Sequence, residues 1–267
     1  MSSANEKAPT QQKKRRSQND YLKLGVRNIY KSLAAQQAAN KKGKGKKGRG
    51  KKGEGEEQGK ETAFALPSAT AQQICKLVAI VVHSIAELAA ANTRARNRQT
   101  VMPADIVFAI SNKFLVLSEL VPKEINYARE ELCNLMLNSI TDVLGKHKDD
   151  QNPSARSICT SENLGVRSVY AKGVLKKAAP NLMLSCNAIV ALTVFIHFFT
   201  RYICFIAMRD QIKDGLSRLT HKHVQQAIRA DRCLSPHFSH VRILNGYHYP
   251  NVYGKFSTGD RLNVHQH

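Results

Sequence analysis

Residues 218–252 read RLTHKHVQQAIRADRCLSPHFSHVRILNGYHYPNV, and the order of features in this stretch decides how the rest of the chain is to be read. A loop carrying Arg218 leads into a short helix expected over Thr220 to Ala230. Pro236 then breaks the helical pattern, since proline lacks the N–H that a helix interior needs. An extended segment follows and closes on Tyr249-Pro250-Asn251-Val252. Over Ile243 to Val252, Gly246 and Pro250 set a defined path, while Tyr247, Tyr249 and Val252 offer apolar anchors along it.

Upstream, one architecture occurs twice. Residues 1–20 are polar and basic without an apolar period, as expected of a disordered tail. Tyr21 to Ala35 places Leu22, Val26, Ile29 and Leu33 at i, i+4, i+7 and i+11, which predicts a short amphipathic helix. Lys41 to Gly53 (KKGKGKKGRGKKG) opens a Lys/Gly-rich insertion at 41–60 and has no apolar surface to offset the entropy of ordering. Glu54, Glu56 and Glu57 close that insertion with an acidic patch. Pro67-Ser68 starts a helix, with proline suited to a first turn. Its apolar positions, from Ile74, Leu77 and Val78 through Val81, Val82 and Ile85 to Leu88 and Ala89, form a broad stripe on a helix of about seven turns. A polar break from Asn92 to Gln99 follows, and a short helix begins after Thr100 with Ile106, Val107, Ala109 and Ile110 apolar. Pro122 starts a further helix to about Val143, carrying Ile125, Leu132, Leu135, Met136 and Ile140.

His147 to Asn163, polar and containing Pro153, reads as a linker. The pattern then repeats: a short helix from Val166 to Ala178, Pro180, a long helix from about Asn187 to Lys213, a loop ending Arg218-Leu219-Thr220, and a short helix. A short–long–short unit leaves its central helix apolar along much of its length and cannot cover it alone. Two copies clasped antiparallel bury each other's stripe. The expected fold is therefore all-α, with units at 21–145 and 164–234, a linker at 146–163 and a C-terminal segment at 235–267.

The 267 residues carry a formal net charge of +21, unevenly placed: residues 1–60 hold seventeen Lys/Arg against five Asp/Glu. Such a balance points to a polyanionic partner, with nucleic acid ahead of an anionic membrane surface. With no Trp and 6% aromatic residues, stacking platforms for single strands or RNA are not expected. The six cysteines (Cys75, Cys133, Cys159, Cys186, Cys204, Cys233) form no CxxC pair, and several fall in apolar helical stretches. With no secretory signal at the start, they are expected to be reduced thiols of an intracellular protein.

Arg218 to Val252 resembles the end of a histone 2A, with its loop, last fold helix and docking segment. The likeness runs without gaps from about Ser168 to Val252. Tyr21 to Ile140 resembles a histone 2B. The whole therefore resembles the fused histone doublets of giant viruses of the marseillevirus group. That resemblance implies an intramolecular handshake of two histone folds, and binding to double-stranded DNA. It also implies docking on a histone 3–4-type tetramer or a fused 4–3 doublet through Ile243, Gly246, Tyr247, Tyr249, Pro250, Asn251 and Val252. A virion, a viral factory or a host nucleus is the implied location. In such a pair the first loop of one unit lies beside the second loop of the other, and both, with the paired first-helix N-termini, face phosphate.

The second loops carry Arg94, Arg96 and Arg98 with Thr100, and Arg218 with Thr220. The resemblance aligns Arg98 and Arg218 with arginines that enter the minor groove without reading bases. Lys176 and Lys177 match basic positions of the family, although cations at a helix C-terminus are favourable in any protein. Lys41, Lys42, Lys44, Lys46, Lys47, Arg49, Lys51 and Lys52 are expected along DNA, adding affinity by counterion release. One family feature is missing. The histone 2A carboxylates that build an acidic patch align with His197, Tyr202 and Phe205 on the long helix and with Asp231, Arg232 and Cys233 after the last. Asp231 stays acidic, and Glu124 and Glu131 from the first unit could contribute.

Competing motifs are weak. Gly45-x4-Gly50-Lys51 nearly spells a phosphate loop, but Lys52 stands where magnesium needs Ser or Thr, and no strand precedes it. His221 and His223 have no Cys or carboxylate cluster to complete a metal site. Leu182 to Met208 is long enough to span a bilayer, yet Asn187, His197 and Arg201 interrupt it, and a mid-membrane Arg is costly. No motif argues for catalysis or a cofactor. The rival to DNA packaging is a histone-fold subunit of a transcription-regulatory complex, which has little use for a docking segment and a Lys/Gly run together.

Overall fold

The computed structural model describes residues 17–44, 64–115, 123–150 and 153–238, the side chains of 40–44 and 123–128 excepted. The described residues form a mostly helical assembly. Its helices are α1 (Gln18–Lys44), α2 (Ser68–Ala95), α3 (Pro103–Leu115), α4 (Lys123–Lys146), α5 (Ala155–Ser161), α6 (Ser168–Ala178), α7 (Cys186–Lys213), α8 (His221–Ala230) and α9 (Ser235–Phe238). Two-residue strands β1 (Thr100–Val101) and β2 (Met183–Leu184) pair in parallel, with Thr100 opposite Met183 and Val101 opposite Leu184.

The long helix α7 organises the core. It is apolar on nearly every face, and Ala188, Val190, Leu192, Phe195, Ile196, Phe199 and Ile203 are all buried. A helix of that kind is stable in water only when surrounded, and α1, α2, α3, α4, α5, α6 and α8 all pack on it. Ser185 begins it, its hydroxyl accepting from Ala188 N–H at 3.1 Å, a cap typically contributing ~1 kcal/mol. Phe195 stacks on Phe199 with ring centroids 5.5 Å apart, and Phe114 of α3 packs edgewise on Phe199 at 6.0 Å. His237 of α9 lies 4.8 Å from the Phe114 ring. Both α2 and α7 have the length and apolar composition to cross a membrane, yet 56% and 72% of their most apolar windows are buried inside this fold.

The two long helices run in opposite directions. The C-terminal end of α2 and the N-terminal end of α7 meet at the β1–β2 pair. Their other ends meet where Ala65, just before α2, bridges Arg218, just after α7. Both helices end in the same turn. Arg98 N–H reaches Thr93 C=O (3.1 Å) and Asn97 N–H reaches Arg94 C=O (2.9 Å) after α2. Leu216 N–H reaches Gln211 C=O and Gly215 N–H reaches Ile212 C=O, both at 3.1 Å, after α7. This six-to-one, five-to-two closure needs a left-handed residue, supplied by Asn97 (φ 52°) and Gly215 (φ 68°).

Several boundaries differ from the sequence expectation. The first helix, expected to end near Ala35, continues to Lys44. Its extension is rich in Ala and Gln, good helix formers that need no buried face. The stretch read as a linker contains α5, whose N-cap Ser154 hydroxyl accepts from Ser157 N–H at 3.1 Å and which buries Ile158 and Cys159. Pro236 sits in the first turn of the short α9 rather than breaking the chain, since a first-turn residue has no intrahelical N–H to lose. Thr100 and Val101 form β1 before α3 begins at Pro103.

Candidate nucleic-acid interface

The first cluster surrounds β1 and β2. Met183 N–H donates to Gln99 C=O at 2.8 Å and Ser185 N–H to Val101 C=O at 3.1 Å, so the loop after α2 and the loop before α7 form one ledge. Arg94 and Arg96 are exposed on it. Arg94 Nη2 donates to Ala178 C=O at 3.2 Å, tying the end of α2 to the end of α6 across the two units. Lys176 and Lys177, in the last turn of α6, are exposed beside this contact. Lys177 also bears on His83 of α2, whose protonation is disfavoured first by burial and then by that charge.

Arg98 is held differently from its neighbours. Its guanidinium pairs with the carboxylate of Asp105, which is fully buried at the start of α3. Asp105 also accepts from Asn92 Nδ2 at 2.7 Å and Met102 N–H at 2.9 Å. The last contact is the carboxylate half of a capping box, because Asp105 is the third residue of α3. Arg98 therefore fixes the loop as well as carrying charge to it. Its side chain is 32% exposed.

The second cluster is the mirror of the first. Ala65 N–H donates to Ser217 C=O at 2.9 Å, and Leu219 N–H donates to Ala65 C=O at 3.0 Å. Thr70 Oγ1 donates to Leu219 C=O at 3.3 Å from α2. These bonds hold Arg218 exposed at the loop tip. Thr220, expected to face DNA, is half-buried, and its N–H donates to His223 Nδ1 at 3.0 Å. That bond makes Nδ1 the unprotonated nitrogen, so Nε2–H donates to Asp214 Oδ2 at 3.2 Å. His223 is a buried capping residue of α8, and no group of three or more His, Cys, Asp or Glu among the described residues could hold a metal ion.

The first helices pack on each other. A Cβ on Gly165 would lie 2.6 Å from Ile29, and one on Gly25 would lie 2.9 Å from Val166, so glycine is what permits the close approach of α1 and the entry to α6. Arg167 is exposed over the Tyr21 ring, 5.9 Å from its centroid. The two N-termini are not equivalent. Asp20 already accepts from Ser17 N–H at 2.9 Å, placing a carboxylate at the start of α1. The first turn of α6 has no acidic residue and no side-chain cap.

Lys41, Lys42 and Lys44 lie in the last turn of α1, with side chains outside the described set, and Lys46, Lys47, Arg49, Lys51 and Lys52 lie outside the described residues. Ile243, Gly246, Tyr247, Tyr249, Pro250, Asn251 and Val252 also lie outside them. After α8, Tyr202 OH donates to Asp231 Oδ2 at 2.6 Å, while Asp231 Oδ1 accepts from Cys233 and Leu234 N–H, both at 2.9 Å. Phe205 is 47% exposed nearby on α7.

Sequence reasoning missed Asp105. Its signal was available, since it stands third in a helix opened by Pro103 and seven residues after Arg98. No protein-family model matches this chain, and no curated protein matches it.

Proposed function

We propose that this chain is a non-enzymatic architectural protein, a fused 2B–2A-type histone that wraps double-stranded DNA without reading its sequence. The observation that carries this reading is the reciprocal loop pairing, with 99–101 beside 183–185 and 65 beside 217–219. Each pair presents arginine: Arg94, Arg96 and Arg98 at one end, Arg218 at the other. The two pairs are joined by helices of 28 residues, or about 42 Å of helix at ~1.5 Å per residue. That length somewhat exceeds the ~34–36 Å turn of duplex DNA, so the two ledges can reach phosphates a little over one turn apart on one duplex.

The chemistry is positional. Backbone amides and basic side chains on rigid ledges neutralise phosphates, and arginine fits a narrowed minor groove without base contacts. Tethering both units in one chain makes their pairing intramolecular. The proposed partner is a histone 3–4-type tetramer or a fused 4–3 doublet, engaged through residues 243–252.

Titration of two unrelated duplexes at two salt concentrations tests this reading. Affinity should fall steeply with salt, because each neutralised phosphate adds about −0.9 to the slope of log affinity against log salt. A flat salt response, or a preference above about tenfold for one random sequence, would overturn it.

A further inference from the structure

The junction between the two units contains an ion cluster that DNA binding does not use. His147 follows α4, and its Nδ1 lies 2.6 Å from Asp150 Oδ2 in the next turn. Its Nε2 lies 3.1 Å from Glu162 Oε1, the C-cap of α5, and 3.4 Å from Ser161 Oγ. Glu162 uses its other oxygen to accept from Lys146 Nζ, at 3.2 Å, in the last turn of α4. The His147 and Glu162 side chains are shielded, 16% and 18% exposed, whereas Asp150 and Lys146 are open to water. A neutral imidazole donates from one nitrogen only. With a carboxylate on each ring nitrogen, both nitrogens donate at once only in the imidazolium.

We propose that His147 is a pH-sensitive clasp. As an imidazolium it seats α5 against the end of α4, and its deprotonation releases α5 from that seat. The other groups facing it are Asp150 from the turn, Glu162 and Ser161 from the end of α5, and Lys146 from α4 through Glu162. On its opposite side α5 packs on α6 and α7. There it buries Ile158 and Cys159, and burial pushes the Cys159 thiol up to about 11. That thiol stays neutral through the range in which His147 titrates.

The direction follows from the partners. The hydrogen bond to Asp150, and then that to Glu162, raise His147 above its ordinary 6.5. The imidazolium form is favoured by the folded junction, so this stabilisation is complete below the ordinary histidine value and is lost as pH rises through the raised one. Glu162 runs the other way. Its hydrogen bonds from Lys146 and His147 outweigh the opposing burial and hold it below 4.5, so its contribution is lost only in acid. The clasp is closed between those limits and opens on the alkaline side.

Amide hydrogen exchange of the full chain, corrected for intrinsic rates, tests the clasp at about pH 6 and about pH 9. Protection of 155–162 should fall severalfold between the two in the wild type, while α7 peptides hold theirs. His147→Gln should give the lower protection at both pH values. Unchanged protection of 155–162 across the range, or a His147→Gln chain equal to wild type at pH 6, would overturn the clasp. If His147→Gln lowers helicity throughout the chain, Asp150→Asn decides. It keeps the imidazole and should move the loss of protection to lower pH, and no movement would equally overturn the proposal.

Discussion

Replacing Arg98 with alanine should cost more stability than its place on a surface loop suggests. The variant leaves the Asp105 carboxylate, fully buried, with the Asn92 amide and the Met102 N–H as its remaining partners. Breaking a buried pair from one side costs about 3–5 kcal/mol, because the remaining charge is stranded. Arg98 is 32% exposed, so water reaches part of the vacated site, and the lower end of that range, about 3 kcal/mol, is expected. For a chain of this size that corresponds to a melting temperature lower by roughly 5 °C. Asp105→Ala should cost a similar amount, since it also removes half of the α3 capping box. The double variant should cost well under the sum, with a coupling of about 1.5 kcal/mol or more. Denaturant unfolding of the four proteins measures the cycle. Additive single effects, or a cost for Arg98→Ala below about 1 kcal/mol, would refute the claim that the pair anchors the ledge.

Four further outcomes are expected. Arg96→Ala, Lys176→Ala and Lys177→Ala together should lower duplex affinity uniformly across sequences and reduce the salt slope by about three, as read by titration. Replacing Tyr247, Tyr249 and Val252 with serine should weaken capture by a 3–4-type tetramer in a pull-down while circular dichroism stays unchanged. An arginine-anchored peptide specific for the histone acidic patch should not bind at micromolar concentration, because Asp231 is occupied by Tyr202 and by backbone, with Arg232 exposed beside it. Stability should also fall as pH drops from 6.5 towards 4. Burial, reinforced by Arg201, holds His197 down to about 4, so its neutral form is required by the fold and the unfolded chain takes the proton first. The loss amounts to about 3 kcal/mol, and His197→Gln, which can still accept from Gly165 N–H, should flatten it in acid-unfolding curves.

The helical framework was legible because apolar periodicity is a local signal. The stripe from Ile74 to Ala89 and the helix expected from about Asn187 to Lys213 are the two long helices, and Thr220 to Ala230 is α8 apart from its cap. The α5 helix escaped because Ile158 and Cys159 are its buried apolar residues, too few to set a period. Thr220, expected at DNA, is half-buried in a cap with a histidine three positions on, a contact that composition does not reveal. The inequality of the α1 and α6 N-termini depends on two residues, Ser17 and Asp20, which cap the start of α1 reciprocally. The close approach of Gly25 and Gly165 joins positions far apart in the chain and becomes readable only when the units are placed together.

The central claim is a wrapped particle, and nuclease digestion tests it most directly. The full chain, a histone 3–4-type partner and a long duplex would be mixed, digested to completion and the surviving DNA sized. Two ledges on one rigid body, repeated around a docked tetramer, predict a discrete protected length that the chain alone does not give. A continuous smear with the partner present, from protein that is folded and bound to the DNA, would contradict it.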